Sequence, residues 1–101
     1  MNMKSAEIIK LLSSPDPEIV TIGIKLFQDD YDWRRIMYYN TIFKGRSVDN
    51  WNSVVCSMFK DFKVNFNHPR VPMIEYNKRY NSCFICRYDE FLAFVKYYYE
   101  H

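Results

Sequence analysis

Apolar residues recur at helical spacing in five stretches of the chain, and this pattern predicts a mainly α-helical fold. The predicted helices are residues 5–12, 17–27, 33–43, 47–62 and 89–99. The fourth has the most regular pattern, an apolar stripe at i, i+3, i+4, i+7, i+8 and i+11 that starts at Trp51 and ends at Phe62. This stretch is therefore expected to pack one complete face against the core.

The boundary between the first two predicted helices carries strong local signals. Ser5 is the expected cap of the first helix. Asp16 is the expected cap of the second, and Pro17 fits its first position, where no backbone donor is needed. Gly23 lowers helix propensity by about 1 kcal/mol relative to Ala, and a close approach of two helices would explain it.

Residues 11–20, Leu-Leu-Ser-Ser-Pro-Asp-Pro-Glu-Ile-Val, together with Leu26-Phe27, resemble the turn region of a HEAT-type helical hairpin. The resemblance covers about residues 8–28. Ile19 stands where these repeats have Val, Val20 and Thr21 stand where Arg often follows, and no second copy occurs downstream. The resemblance implies a local helix-turn-helix geometry, and family members mostly serve as protein-binding solenoids.

The chain after the fourth predicted helix loses its helical period. Residues 64–72 are predicted to be an extended loop, because Asn and Pro are frequent there. Residues 73–76 and 83–88 either pair as a β-hairpin or do not, and the pattern leaves both alternatives open. The sequence as a whole predicts one domain, residues 1–101, mainly α: a compact bundle of about five helices, with or without a small hairpin near residues 73–88.

Composition narrows the class of protein. Aromatic residues reach 19 %, with nine Tyr, eight Phe and two Trp, whereas there are only two Gly. Two glycines exclude a glycine-rich phosphate loop or dinucleotide fingerprint. Three cysteines, the lack of a signal peptide and the lack of a membrane-length apolar run predict a reduced, cytoplasmic protein with no membrane partner. The usage of Asn, Lys, Tyr and Ile is typical of small phage and mobile-element proteins.

The candidates for chemistry are few. Cys83 and Cys86, with His68 and Cys56, could form a zinc site or a redox dithiol. The residues between Cys83 and Cys86 are Phe and Ile, which favours packed, reduced thiols instead. The acidic run at residues 29–32 is interpreted as helix caps. We therefore expect no enzyme activity, no metal and no cofactor.

Charge and aromatic residues suggest two kinds of partner. Residues 33–88 carry ten Lys and Arg against three Asp and Glu. Arg34, Arg35, Lys78 and Arg79 are the candidate phosphate contacts there.

The net charge of +2 is low for a nucleic-acid module, so this reading is the alternative. The preferred reading is a non-enzymatic protein-interaction or assembly module, of the phage accessory or inhibitor type. It would bind another protein, itself or both through Tyr97, Tyr99 and Leu92 of the last helix.

Overall fold

The computed structural model of the protein describes residues 3–36, 57–69, 71–77 and 82–100. In chain order the described elements are α1 (Met3–Leu12), α2 (Pro17–Asp30), α3 (Trp33–Ile36), β1 (Phe62–Asn65), β2 (Met73–Asn77), β3 (Ser82–Arg87) and α4 (Tyr88–Glu100). The strands form one antiparallel sheet in the order β1-β2-β3. The described part of the chain is thus an α+β fold, and the prediction of a helical bundle is wrong.

The error begins at Phe62, which the helical stripe had included. A helical segment ends at Met58, a turn follows, and β1 starts at Phe62. Phe62 is buried, Lys63 is exposed and Val64 is half-buried, which is the alternation expected of a strand with one face on the core and the other exposed to solvent. The predicted loop of residues 64–72 therefore begins as strand. Residues 37–56, which hold most of the third and fourth predicted helices, lie outside the described ranges.

The hairpin near residues 73–88 is confirmed, and it contains an irregularity. Ile74 pairs with Cys86, but the next residue, Glu75, pairs with Phe84, so β3 holds one extra residue at this point. Such a bulge reverses the side-chain alternation. Cys86 consequently lies on the buried face, whereas Phe84, two residues away, is 59 % exposed.

The helix pair α1–α2 is built as the local signals predict. The Asp16 side chain accepts a hydrogen bond from Glu18 N at 3.0 Å, and Pro17 is the first helical residue. A Cβ atom at Gly23 would lie 2.9 Å from Leu11 Cβ, so the expected close approach is confirmed. Ser5 does not cap α1, which begins at Met3. It is buried inside the helix.

An aromatic cluster forms the centre of the core. Its rings come from α2 and its C-cap, from the turn before β1 and the start of β1, and from α4: Phe27, Tyr31, Phe59, Phe62, Phe91, Phe94 and Tyr98. Phe27 stacks on Tyr31 with centroids 4.9 Å apart, and Phe59 stacks on Phe94 at 4.7 Å. The cluster joins α2 and α4 directly, so the two ends of the chain share one core.

Candidate binding surfaces

The predicted partner surface on α4 is largely occupied by the core. Tyr97 is only 9 % exposed, and Leu92 and Tyr99 are partly buried against the core cluster. α4 contacts α1 as well as β2 and β3. Its buried arc is therefore wider than that of a helix resting on one neighbour. The expectation that Tyr97 faces solvent is wrong, and a partner role for these three residues stays a prediction.

Tyr99 is held by an internal hydrogen bond. Its hydroxyl donates to Asp30 Oδ2 at 2.8 Å. Burial, and then the carboxylate of Asp30, raise the pKa of Tyr99. Partial burial alone would raise the pKa of Asp30, but Tyr99 and the Lys4 ammonium, 3.2 Å from Oδ1, together hold that pKa below its ordinary value. The three side chains tie α4 to the end of α2 and the start of α1.

The two described phosphate-contact candidates also have internal partners. Arg34 Nε lies 3.0 Å from Asp32 Oδ1, and this hydrogen-bonded pair lowers the pKa of Asp32 and raises that of Arg34. Arg35 Nη1 lies 3.3 Å from the Tyr98 hydroxyl, and its guanidinium lies over the Tyr98 ring at 4.6 Å. Lys78 and Arg79 lie outside the described residues.

An open cavity of about 570 Å³ lies where α2 ends. Its lining residues are Asp29, Asp30, Tyr31, Asp32, Trp33, Arg34, Ser57 and Lys60. Three carboxylates and two cations line it, a balance that disfavours phosphate binding. Asp32 also accepts from Arg34 N at 3.1 Å at the start of α3, so the predicted capping role of the acidic run is confirmed for this residue.

Of the three cysteine side chains, the structure describes that of Cys86. Its thiol lies on the buried face of the sheet, and burial raises its pKa, so the reactive thiolate is disfavoured. Within the ranges described, no group of three or more His, Cys, Asp or Glu side chains could hold a metal ion. The ring of His68, another candidate ligand, lies nearly perpendicular to the ring of Phe84, with the two centroids 5.5 Å apart.

Three large aliphatic side chains of α2 are exposed and form what we call the α2 row: Ile19 at 37 %, Ile22 at 54 % and Leu26 at 38 %. All three belong to the helical spacing that predicts this helix. The core instead takes Val20, Ile24 and Phe27. The signal that could have separated the two sets is the width of the apolar arc, which exceeds what one core face requires.

A shallow groove of about 260 Å³ separates α2 from β1, and we call it the edge groove. Its lining residues are Thr21, Ile24, Lys25, Gln28, Phe62, Lys63, Val64 and Phe66. Gln28 Nε2 crosses it and donates to the Phe62 carbonyl at 3.1 Å. This groove had no counterpart among the sequence predictions, because it depends on the position of β1 beside α2.

No known protein family, curated protein or solved structure matches the chain in the comparisons. Among the helices described, none is both long and apolar enough to cross a membrane. Functional conclusions therefore depend on the surfaces themselves.

Proposed function

We propose that the protein is a non-enzymatic protein-interaction module and that the α2 row is its contact surface. The observation that carries the proposal is the exposure of Ile19, Ile22 and Leu26 on a helix whose opposite arc is in the core. Full burial of one such side chain stabilises by about 1.5–3 kcal/mol. Because all three are only partly exposed, burying their remaining exposed surface against a partner would contribute on the order of 3 kcal/mol of binding free energy. Exposed apolar clusters of this kind typically mark interaction sites.

The partner that fits the row best is a second copy of this chain. Ile19, Ile22 and Leu26 have the three-and-four spacing of the a and d positions of a coiled coil. Glu18 and Lys25 each precede an a position, so both are g positions, and both are exposed. In an antiparallel pair g positions face each other, so Glu18 of one copy would meet Lys25 of the other, twice by symmetry. Charge and apolar pattern thus favour the same arrangement.

Sedimentation velocity over a concentration series tests this function. We expect the average mass to rise from 12.4 kDa toward the dimer mass as concentration increases. Ile22→Gln should remain monomeric, whereas Val71→Gln, which alters an exposed aliphatic residue elsewhere, should behave as the unmodified protein does. A monomer at every concentration, or a dimer that Ile22→Gln leaves intact, would contradict the proposal.

A charge exchange tests the orientation. Glu18→Lys alone and Lys25→Glu alone should each weaken association, because each places like charges in contact. The two changes combined should restore it. No restoration would contradict the antiparallel arrangement.

Nucleic-acid binding through residues 33–88 stays a prediction. We do not adopt it as the function, because Arg34 and Arg35 have internal partners.

A further inference from the structure

β1 is an edge strand of the sheet that the structure describes, and its outer side faces away from β2. The Phe62 carbonyl points away from β2, since it accepts from Gln28. In an antiparallel ladder, residues two apart direct both their N–H and their C=O to the same side. Val64, two residues on, therefore directs both groups outward as well. In the described part of the chain, Gln28 is the one side chain bonded to this side of β1.

The edge groove beside this strand is apolar within and basic at its rim. Ile24, Val64 and Phe66 supply apolar surface. Lys25 and Lys63 are exposed, neither makes an ion pair in the described ranges, and no acidic residue lines the groove. Lys63 stands opposite Glu75 in the sheet register.

The Glu75 carboxylate accepts a hydrogen bond from Asn65 Nδ2 at 3.1 Å. Among the described residues that line the groove, the charged ones are therefore both lysines.

We propose that the edge groove binds an extended segment of another protein, which adds as a fourth strand beside β1. Strand addition takes its affinity from main-chain hydrogen bonds and its specificity from alternate side chains. Here alternate positions of the segment would be apolar, packing beside Val64, and acidic, meeting Lys25 and Lys63. This site goes beyond the proposed self-association, since it takes a different partner and shares only Lys25 with that interface.

The test uses a displayed library of random ten-residue peptides, selected on the full chain. We expect enrichment of sequences in which apolar and acidic residues alternate. A labelled selected peptide should bind about tenfold more weakly to Lys63→Glu, because this reverses a rim charge that lies outside the self-association interface. The matched control is Lys96→Glu, which changes net charge equally at an exposed position of α4 and should bind as the unmodified protein does.

Two further measurements separate the possible causes of failure. Methylating alternate backbone nitrogens of the selected peptide, in each of the two registers, removes the N–H groups that would pair with β1, so one of the two methylated peptides should lose binding. Ile22→Gln alters the α2 row alone and should bind the peptide normally, whether or not the protein self-associates.

The proposal would be overturned by a library that yields no enrichment, or by selected peptides that bind the charge-reversed variant undiminished. Undiminished binding of both methylated peptides would also overturn it, because the peptide would then not pair with β1 through its main chain.

Discussion

Replacing Gly23 by Ala tests whether α1 and α2 touch as closely as the structure indicates. The added Cβ would lie 2.9 Å from Leu11 Cβ and 3.1 Å from Leu12 Cδ2. Carbon atoms pack best at about 3.5–4.0 Å, so the two helices must separate by several tenths of an ångström. Leu11 Cβ is fixed to the backbone of α1 and cannot rotate away, so the whole helix has to shift.

Two opposing effects set the magnitude. Ala is favoured over Gly in a helix interior by about 1 kcal/mol. Overpacking of a filled contact costs about 1–3 kcal/mol. We therefore expect Gly23→Ala to lower the free energy of unfolding by about 1 kcal/mol, which corresponds to a fall of about 4–8 °C in Tm for a domain of this size.

Urea denaturation followed by far-ultraviolet circular dichroism measures this difference. Lys10→Ala, an exposed change on α1, is the control and should shift stability by no more than about 0.5 kcal/mol. If Gly23→Ala is more stable than the unmodified protein, helix propensity has won. The close contact between α1 and α2 would then be refuted.

Three further substitutions test other contacts. Asp16→Ala should cost about 1 kcal/mol of unfolding free energy in urea titration, because Glu18 N loses its acceptor, and no shift of the urea midpoint would place the start of α2 elsewhere. Tyr97→Ala should cost about 3 kcal/mol or more, because it empties a buried site in the core, and a near-normal Tm would mean that the ring is outside the core.

Tyr99→Phe should cost about 1 kcal/mol at pH 7, through the lost hydrogen bond to Asp30. The lowered pKa of Asp30 contributes stability that is present above the unfolded pKa and is lost as the pH falls through the folded pKa. Urea titrations should therefore show the deficit of Tyr99→Phe shrinking below about pH 4, and a constant deficit would remove Asp30 as the cause.

The sequence predicts those features that adjacent residues decide. Asp16 and Pro17 fix the start of α2, because a cap and a preset φ angle act within one turn. Gly23 indicates the contact between α1 and α2, because its low helix propensity is explained when two helices approach closely at that position. The helix α4 follows from its helical apolar spacing, whereas the β2–β3 hairpin was one of two alternatives that the pattern left open.

The errors come from interactions between distant parts of the chain. Phe62 continues a helical stripe locally, and only its pairing with Tyr76 makes it a strand residue. Tyr97 looked exposed because one core face was assumed for α4, whereas the helix has neighbours in both α1 and the sheet. The exposure of Ile22 could not be predicted, because apolar character alone does not reveal which part of a wide apolar arc meets the core.

The candidate surfaces show the same limit. The residues of the α2 row contribute to the helical spacing, which does not reveal their exposure, and the edge groove could not be predicted without the position of β1. Phe84 is exposed because a bulge reverses the alternation of β3, and bulges leave no reliable trace in a single sequence.

The ring cluster that joins α2 to α4 also sets the order in which this protein can fold. The backbone N–H of Asp32 donates a hydrogen bond to the Tyr98 hydroxyl, and Phe27 and Tyr31 pack against rings of α4, across some 60 residues of intervening chain. As the chain leaves the ribosome, α1 and α2 can pair through local contacts, but helices this short are marginally stable without their core. Their apolar side stays wet until α4 has been synthesised. The packing of α4 against α2 therefore completes the core late in synthesis. Until then α1 and α2 expose apolar surface, which chaperones and proteases recognise.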